Sequence, residues 1–300
     1  MKLTKSLTAV VAALPVSWAL IGCGGGGGAT KPAPPSAPKV DAGPAKDDGG
    51  KAEDKPAAGD AKETTEAAAA PAGWGTIKGK VVLDGDVPER KLINKKGDMA
   101  VKDFAICAAE DVLGDELVVN KDNKGIQWAL LYVAGKPVVH DDLKEPEGTV
   151  EFGQKNCVFK PHVMCVRQGQ KLKITSDDPV GHNTNIKPWR GEPVNPLVPA
   201  APEGGKSEMD GPDLKVQPRP FPINCDIHKW MSAYMMVFDH PYFAVTGEDG
   251  SFEIAKVPAG TLKLVSWQES IGYGEGGNKG QDVEVKPDSV TEITITLKAK

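Results

Sequence analysis

Apolar and polar residues alternate in short runs along the chain from about residue 74 to its end. Alternation over about four to eight residues is the pattern of half-buried β-strands. The runs predict strands at residues 76–83, 116–119, 126–133, 158–166, 171–175, 232–239, 243–246, 251–254, 262–267, 282–285 and 291–297. A turn near 98–110 is the one helical segment indicated, and the proline-rich residues 187–222 are expected to lack regular structure. The pattern predicts an all-β chain with one or two antiparallel β-sandwiches.

The first 73 residues have a different composition. Residues 1–22 combine a lysine-containing start with an apolar run, which is the pattern of a secretory signal peptide. Residues 24–73 contain 10 Gly, 14 Ala and 7 Pro, with Val40 as the single bulky apolar residue. Such a segment buries too little surface to offset the entropy of ordering it, so we expect a disordered linker. Residues 74–300 are therefore predicted to form the folded part.

The apolar run ends in Leu20-Ile21-Gly22-Cys23, which resembles the lipobox of bacterial lipoproteins. The resemblance implies that Cys23 is the lipidated first residue of the mature chain and that residues 23–73 tether the rest to a membrane. It also implies an extracytoplasmic location, in the periplasm or at the cell surface. The alternative is an ordinary signal peptide with an incidental cysteine.

Net charge and hydropathy exclude two classes of protein. The 300 residues carry a net charge of −5 without a Lys/Arg cluster, which argues against nucleic acid as the main partner. No stretch of about 18 apolar residues occurs after the N-terminus, so the chain is not expected to cross a membrane repeatedly.

The densest group of metal-binding side chains lies in the run Cys225-Asp-Ile-His228-Lys-Trp-Met231. This run offers a thiolate, an imidazole and a thioether, and His182 offers a second imidazole after a predicted strand. Two His, one Cys and a weaker Met are the donors of a blue-copper electron-transfer site. Sulfur stabilises Cu(I) and imidazole accepts both oxidation states, so this donor set suits one-electron chemistry.

The same residues resemble the cupredoxins. The run from Phe159 to His182-Asn183 is similar to the run into the first His ligand of plastocyanin and pseudoazurin, and Cys225-x2-His228 is similar to their C-terminal ligand loop. The runs at 161–163, 225–231 and 239–246 are similar to cupredoxin-domain proteins of the methylamine-utilisation-like kind. The resemblance implies a Greek-key β-sandwich over 74–240 that holds one copper ion. The implied ligands are three equatorial residues and one axial residue: His182, Cys225, His228 and Met231.

One spacing departs from the family. Met231 follows His228 by three residues, whereas plastocyanin-like loops place the Met five residues after the His. The spacing resembles the binuclear centre of cytochrome oxidase, but that centre needs a second Cys, which does not lie near Cys225. We expect a mononuclear centre of either the blue (type 1) or the red type. His162 would be an extra ligand in the red type, and otherwise a structural residue or a hydrogen-bond partner of a ligand.

Four cysteines besides Cys23 allow three disulfide pairings. An exported protein favours disulfides. We predict a Cys107–Cys157 bridge, with Cys225 free for copper and Cys165 buried as a small apolar residue. A Cys165–Cys225 bridge would abolish the metal site and is the alternative.

Residues 244–267 resemble carboxypeptidase-regulatory-like, or transthyretin-like, β-sandwiches. Two arrangements follow from this resemblance. The module either occupies 241–300 after a cupredoxin-like domain at 74–240, or is completed by the strand at 75–83, with the copper domain inserted. The sequence leaves this choice open.

The function expected from these patterns is one-electron transfer between extracytoplasmic redox proteins by a monomeric, lipid-anchored copper protein. A copper carrier or store would use the same ligands, and a structural surface lipoprotein with a vestigial site is a further alternative. An enzyme is not expected, because neither a second His-rich cluster nor an acid/base pair stands out.

Overall fold

The computed structural model describes residues 71–146 and 148–299. The predictions for the signal segment 1–22, for Cys23 and for the linker up to residue 70 lie outside the described residues. Within the described residues, no helix is long and apolar enough to cross a membrane.

Strands make up most of the regular structure. The first eight are β1 (Trp74–Asp84), β2 (Leu92–Asn94), β3 (Val112–Leu113), β4 (Val118–Val119), β5 (Ile126–Gln127), β6 (Leu130–Val133), β7 (Thr149–Lys155) and β8 (Val158–Lys160). The next eight are β9 (Val163–Arg167), β10 (Lys171–Ser176), β11 (His182–Asn183), β12 (Asn185–Ile186), β13 (Leu197–Val198), β14 (Ser207–Asp210), β15 (Phe221–Asn224) and β16 (Ser232–Phe238). The last six are β17 (Phe243–Val245), β18 (Ser251–Pro258), β19 (Gly260–Gln268), β20 (Gly272–Tyr273), β21 (Gln281–Val285) and β22 (Val290–Lys298).

Helical structure is confined to three short segments in the described residues: α1 (Phe104–Cys107) and the 3₁₀ turns Asp141–Leu143 and Gly277–Lys279. The all-β prediction is confirmed, and α1 lies where the single helical turn is expected. The proline-rich residues 187–222 are less irregular than predicted, because β13 and β14 form within them and pair with β11 and β10.

Strands β7 to β16, residues 149–238, form what we call the site sandwich. Its two larger sheets have the strand orders β14-β10-β7-β8 and β12-β15-β16-β9. The pairs β7–β10 and β9–β16 are parallel, so the predicted antiparallel sandwich also contains parallel neighbours. Parallel neighbours need long crossover connections, and the long excursion between β10 and β15 supplies one of them.

The remaining long strands form a second sandwich from residues 74–84, 126–133 and 243–298. Its sheets have the orders β18-β1-β22 and β17-β6-β19-β20, with β21 on the other part of β19. Strand β1 therefore pairs with C-terminal strands, antiparallel to β18 and parallel to β22. The ladders group β1 and β6 with the C-terminal strands rather than with 134–240. The domain boundaries themselves stay a prediction, because pairing does not define an independently folding unit.

Each sandwich has its own apolar core. Ile77, Leu131 and Ile295 are buried in the second sandwich, whereas Phe152 and Phe159 stack at 5.0 Å in the site sandwich. A third cluster, which includes residues of β6, β9, β16 and β19, packs between the two. Burying one such large side chain contributes about 1.5–3 kcal/mol relative to exposing it. This packing fixes the strand ends that carry the site.

Candidate metal centre

Two strand ends bring the candidate ligands together. His182 opens the short strand β11 after the turn that follows β10, and Cys225 comes directly after β15. Strand β12 pairs with β15 through Asn185 and Asn224, so the chain around His182 lies beside the loop 225–231. The loop then returns into β16, which pairs with β15.

The three donor groups converge in the protein interior. His182 Nδ1 lies 2.9 Å from His228 Nδ1, and Cys225 Sγ lies 3.9 Å from His228 Nδ1. All three ligand atoms lie within 4.8 Å of one another. The two imidazoles are 0% exposed and Cys225 is 1% exposed. One small ion could contact all three atoms.

Backbone hydrogen bonds hold the loop in its shape. The His228 N–H donates to Cys225 Sγ at 3.3 Å. The Met231 N–H donates to the His228 carbonyl at 2.9 Å, and the Cys225 N–H donates to the Met231 carbonyl at 3.2 Å. The first and last residues of the seven-residue loop are therefore hydrogen-bonded to each other, and a further bond crosses the loop.

Asn183 ties this loop to the neighbouring strand. Its Oδ1 accepts from the N–H of Asp226 at 2.8 Å and of Ile227 at 3.2 Å. Cys225 Sγ also lies 3.4 Å from this oxygen. On the outer side of the loop, the Asp226 carboxylate accepts from the side chains of Asn185 and Asn195 at 2.9 and 2.7 Å. The position of the sulfur is thus fixed by the protein.

A carboxylate holds the far nitrogen of each imidazole. His182 Nε2 lies 2.8 Å from Asp178 Oδ2, and His228 Nε2 lies 2.9 Å from Asp103 Oδ2. A neutral imidazole that donates Nε2–H carries its lone pair on Nδ1. The two Nδ1 lone pairs then face each other at 2.9 Å. Such an arrangement is repulsive unless a proton or a metal ion lies between them.

The charges of these groups agree with this geometry. Burial alone would lower the pKa of His182, but hydrogen bonds to Asp178 and Cys225 outweigh it and raise the pKa to about 9. Burial would raise the pKa of Cys225, but hydrogen bonds from His182 and His228 outweigh it and lower the pKa to about 5. Without metal at neutral pH, the cluster is therefore a thiolate beside a protonated imidazole.

The donor set decides which ions fit. Thiolate and imidazole are ligands for copper and zinc, whereas Mg²⁺ and Ca²⁺ prefer oxygen. His182, Cys225 and His228 supply one thiolate and two imidazole nitrogens, already aimed at one point. The residues present fit a soft or borderline metal ion.

The other two candidate ligands lie differently. Met231 is buried in the core beside Cys225, and its backbone closes the ligand loop. His162 Nε2 lies 2.6 Å from Glu269 Oε2, in a contact that joins the site sandwich to the second sandwich. Among the described residues, the groups of ligand atoms within 4.8 Å of one another do not include His162. The structure therefore brings His182, Cys225 and His228 together and pairs His162 elsewhere.

The disulfide lies against the same cluster. Cys107 is bonded to Cys157, which is the predicted pairing, and Cys165 and Cys225 are free thiols. Cys165 is half-buried rather than fully buried as expected, because it lies on a strand face next to a surface groove.

Trp230 donates its Nε1–H to the Cys157 carbonyl at 3.0 Å, and its ring lies 5.2 Å from that of His228.

Asp103 and Asp178 hold the imidazoles of the site, but neither was predicted from the sequence. Asp178 lies four residues before His182, a proximity that could have pointed to it. Asp103 lies 125 residues from His228 in the chain, and no local pattern marks it. Only the fold brings this carboxylate to the imidazole of His228.

No family model matches the chain, and no curated protein matches it. Among solved structures, a copper-containing nitrite reductase of Thermus scotoductus SA-01 is 17% identical, with a TM-score of 0.25, over 34% of this chain and 25% of that chain. This chain thus spans about a quarter of the length of the reductase.

Two shorter proteins are similar to part of the chain. A purple cupredoxin of Nitrosopumilus maritimus is 17% identical, with a TM-score of 0.24, over 31% of this chain and 100% of that chain. An amicyanin of Paracoccus versutus is 16% identical, with a TM-score of 0.22, over 36% of this chain and 97% of that chain. Each likeness concerns about a third of this chain.

Proposed function

We propose that this chain is a cupredoxin-like, extracytoplasmic copper protein that transfers single electrons between redox proteins. The observation that carries the proposal is the buried cluster of His182, Cys225 and His228, whose two Nδ1 atoms and sulfur face one point. This is the equatorial donor set of a mononuclear electron-transfer copper site. Met231 is proposed as the axial ligand.

Rigidity supports electron transfer over copper storage. Asn183 holds two successive backbone N–H groups of the ligand loop, and a carboxylate holds the outer nitrogen of each imidazole. Ligands that cannot move far reorganise little when the oxidation state changes. When bound, copper would supply the reversible change between Cu(II) and Cu(I), and the protein supplies fixed donors.

Trp230 is proposed as the route by which electrons leave the centre. It is partly buried, its ring lies 5.2 Å from that of His228, and its Nε1–H is fixed on the Cys157 carbonyl. The adjoining aromatic ring gives a redox partner access to the centre without opening the fold. The partner is proposed to be another extracytoplasmic redox protein, and catalysis is not part of the proposal.

The copper assignment is tested by adding Cu(II) to the full chain and recording visible and EPR spectra together. An intense thiolate-to-copper band with narrow copper hyperfine splitting would support a type 1 centre. A band at shorter wavelength with wide splitting would indicate the red type instead of type 1. The absence of a thiolate band would overturn the copper proposal.

Electron transfer is tested separately by voltammetry of the copper-loaded protein. A reversible one-electron wave with copper retained in both states supports it. Loss of copper on reduction would favour a carrier instead, because a carrier must release its ion.

The lipid anchor is proposed from the sequence around Cys23. Growing the producing bacterium with labelled fatty acid should label the full chain and should leave a Cys23→Ala variant unlabelled. Equal labelling of both forms, or of neither, would contradict the anchor.

A further inference from the structure

Asp103 contacts the cluster of His182, Cys225 and His228 from a part of the chain that is remote from these residues in sequence. Its Oδ2 lies 2.9 Å from Nε2 of His228, which is the side of the imidazole opposite the other candidate ligands. The His228 side chain is 0% exposed, whereas the Asp103 side chain is 37% exposed. The carboxylate therefore covers the outer nitrogen of a buried ligand.

The local backbone directs Asp103 to this position. Asp103 adopts a left-handed conformation, with φ of 54° and ψ of 38°, which few residues other than glycine adopt. Its carbonyl accepts from the N–H groups of Ile106 and Cys107, both at 2.9 Å, and so begins α1. These bonds leave the side chain free to reach His228.

The disulfide links this carboxylate to the one on the other imidazole. Cys107, four residues after Asp103, is bonded to Cys157. The Cys157 N–H donates to Asp178 Oδ2 at 2.8 Å, and the same oxygen lies 2.8 Å from Nε2 of His182. The two carboxylates that hold the two imidazoles are therefore connected through one covalent bridge beside the cluster.

We propose that Asp103 is a positioning residue of the metal centre, which selects the His228 tautomer with its lone pair on Nδ1 and places negative charge near the ion. This inference rests on the proposed copper function. By accepting from Nε2–H, the carboxylate leaves Nδ1 ready to bind metal. Its charge favours the doubly charged Cu(II) over Cu(I), so it lowers the reduction potential.

Three variants of the full chain separate these effects. Asp103→Asn keeps the shape and an acceptor oxygen but removes the charge, and Asp103→Ala removes both. Glu110→Gln is the matched control, because it removes the same charge from the same segment at an exposed ion pair with Lys96. We expect Cu(II) affinity to fall about 10–100-fold in Asp103→Ala and to stay unchanged in Glu110→Gln.

The reduction potential tests the charge. In Asp103→Asn it should rise by about 59 mV for each tenfold loss of Cu(II) affinity relative to Cu(I). The reduction potential of Glu110→Gln should equal that of the unaltered chain. If both Asp103 variants have the same Cu(II) affinity and reduction potential as Glu110→Gln, while the unaltered chain has its thiolate-to-copper band, the inference is overturned and the proposed function stands.

A measurement without metal tests the tautomer. The measurement uses the metal-free full chain carrying His182→Ala, because a protonated His182, with its Nδ1 2.9 Å from Nδ1 of His228, would hold the same tautomer by itself. In ¹⁵N NMR spectra of this chain, His228 should carry its proton on Nε2, with the signal assigned by its loss in His228→Gln. Asp103→Ala should weaken this preference, and Glu110→Gln should not. An unchanged tautomer in Asp103→Ala would overturn the inference even if the unaltered chain bound no copper, so the two failures are distinguishable.

Discussion

The two sandwiches differ in what they bury. The core of the second sandwich is built around apolar side chains such as Ile77, Leu131 and Ile295. The site sandwich buries two imidazoles, a carboxylate and a thiol at one end. Buried polar groups destabilise a fold unless they are hydrogen-bonded. Similar architecture therefore serves packing in one region and chemistry in the other.

The polar cluster is compatible with a stable fold because its groups bond to one another. The Asp178 carboxylate makes three such contacts: it accepts from the N–H groups of Asn156 and Cys157, at 2.6 and 2.8 Å, and it contacts His182. The Cys225 sulfur accepts from a backbone N–H. Three atoms remain directed at one another: the two Nδ1 atoms and the sulfur. These are the atoms that a metal ion would bind. The comparison thus predicts which substitutions affect metal binding and which affect stability alone.

The largest expected effect is the loss of the metal signal in Cys225→Ser. A hydroxyl supplies no thiolate, so the intense visible absorption of the copper-loaded protein should disappear. Cys165→Ser is the matched control, because Cys165 is also a free cysteine of the site sandwich but is not among the clustered ligand atoms. Absorption spectra at equal copper loading check both, and colour retained in Cys225→Ser would contradict the ligand assignment.

A pair of core substitutions would sharpen the comparison of the two sandwiches. Ile77→Ala in the second sandwich and Ile223→Ala in the site sandwich both truncate fully buried side chains. Each should lower the free energy of unfolding by about 2–5 kcal/mol, because each leaves a cavity. Only Ile223→Ala should shift the copper absorption, since Ile223 lies two residues before Cys225 in β15.

Denaturant unfolding and visible spectra of the copper-loaded variants would measure both effects. A spectrum altered equally by Ile77→Ala would mean that the metal centre depends on the second sandwich as much as on its own core. The division of roles between the sandwiches would then be wrong.

The sequence predicts the fold class well because alternation records which strand face is buried. It does not predict partners, since pairing depends on contacts between distant residues. The sequence of strand β1 would be the same whether it paired with strands that follow it directly in the chain or, as in the structure, with β18 and β22. The parallel pairs were not predicted for the same reason.

The candidate site was accessible from sequence to the extent that its ligands are chemically distinctive and clustered. Cys225 and His228 lie in one loop, and the third cluster member, His182, follows a predicted strand. Asp103 and Glu269 are common surface residue types in unremarkable runs. Their contacts with His228 and His162 arise only from folding, so a single sequence gives no signal for them.

A third prediction concerns protons released when metal binds. Between about pH 5 and about pH 9, Cys225 is a thiolate and His182 is protonated, because their pKa values are about 5 and about 9. Ligation requires His182 without its proton. Binding at pH 7 should therefore release one proton, and the apparent affinity should rise tenfold, about 1.4 kcal/mol, per pH unit in this window.

Above about pH 9 the affinity should level off, because His182 has already lost its proton, and below about pH 5 it should fall more steeply, because the thiol must also lose one. Calorimetric titration at pH 7 in two buffers of different ionisation enthalpy counts the protons. Release of two protons would show that Cys225 is a thiol before binding, contrary to the charges assigned to the cluster.

The smallest expected effect is that of Met231→Leu. Leu has nearly the volume of Met, so the free energy of unfolding should change by less than about 1.5 kcal/mol. Copper should stay bound by His182, Cys225 and His228, while loss of the thioether shifts the reduction potential. Met235→Leu is the matched control, because Met235 is equally buried in the same core but lies on β16 rather than in the ligand loop. Voltammetry of both variants decides: a shift confined to Met231→Leu supports the thioether as the axial ligand, and equal potentials would leave Met231 a packing residue of the loop.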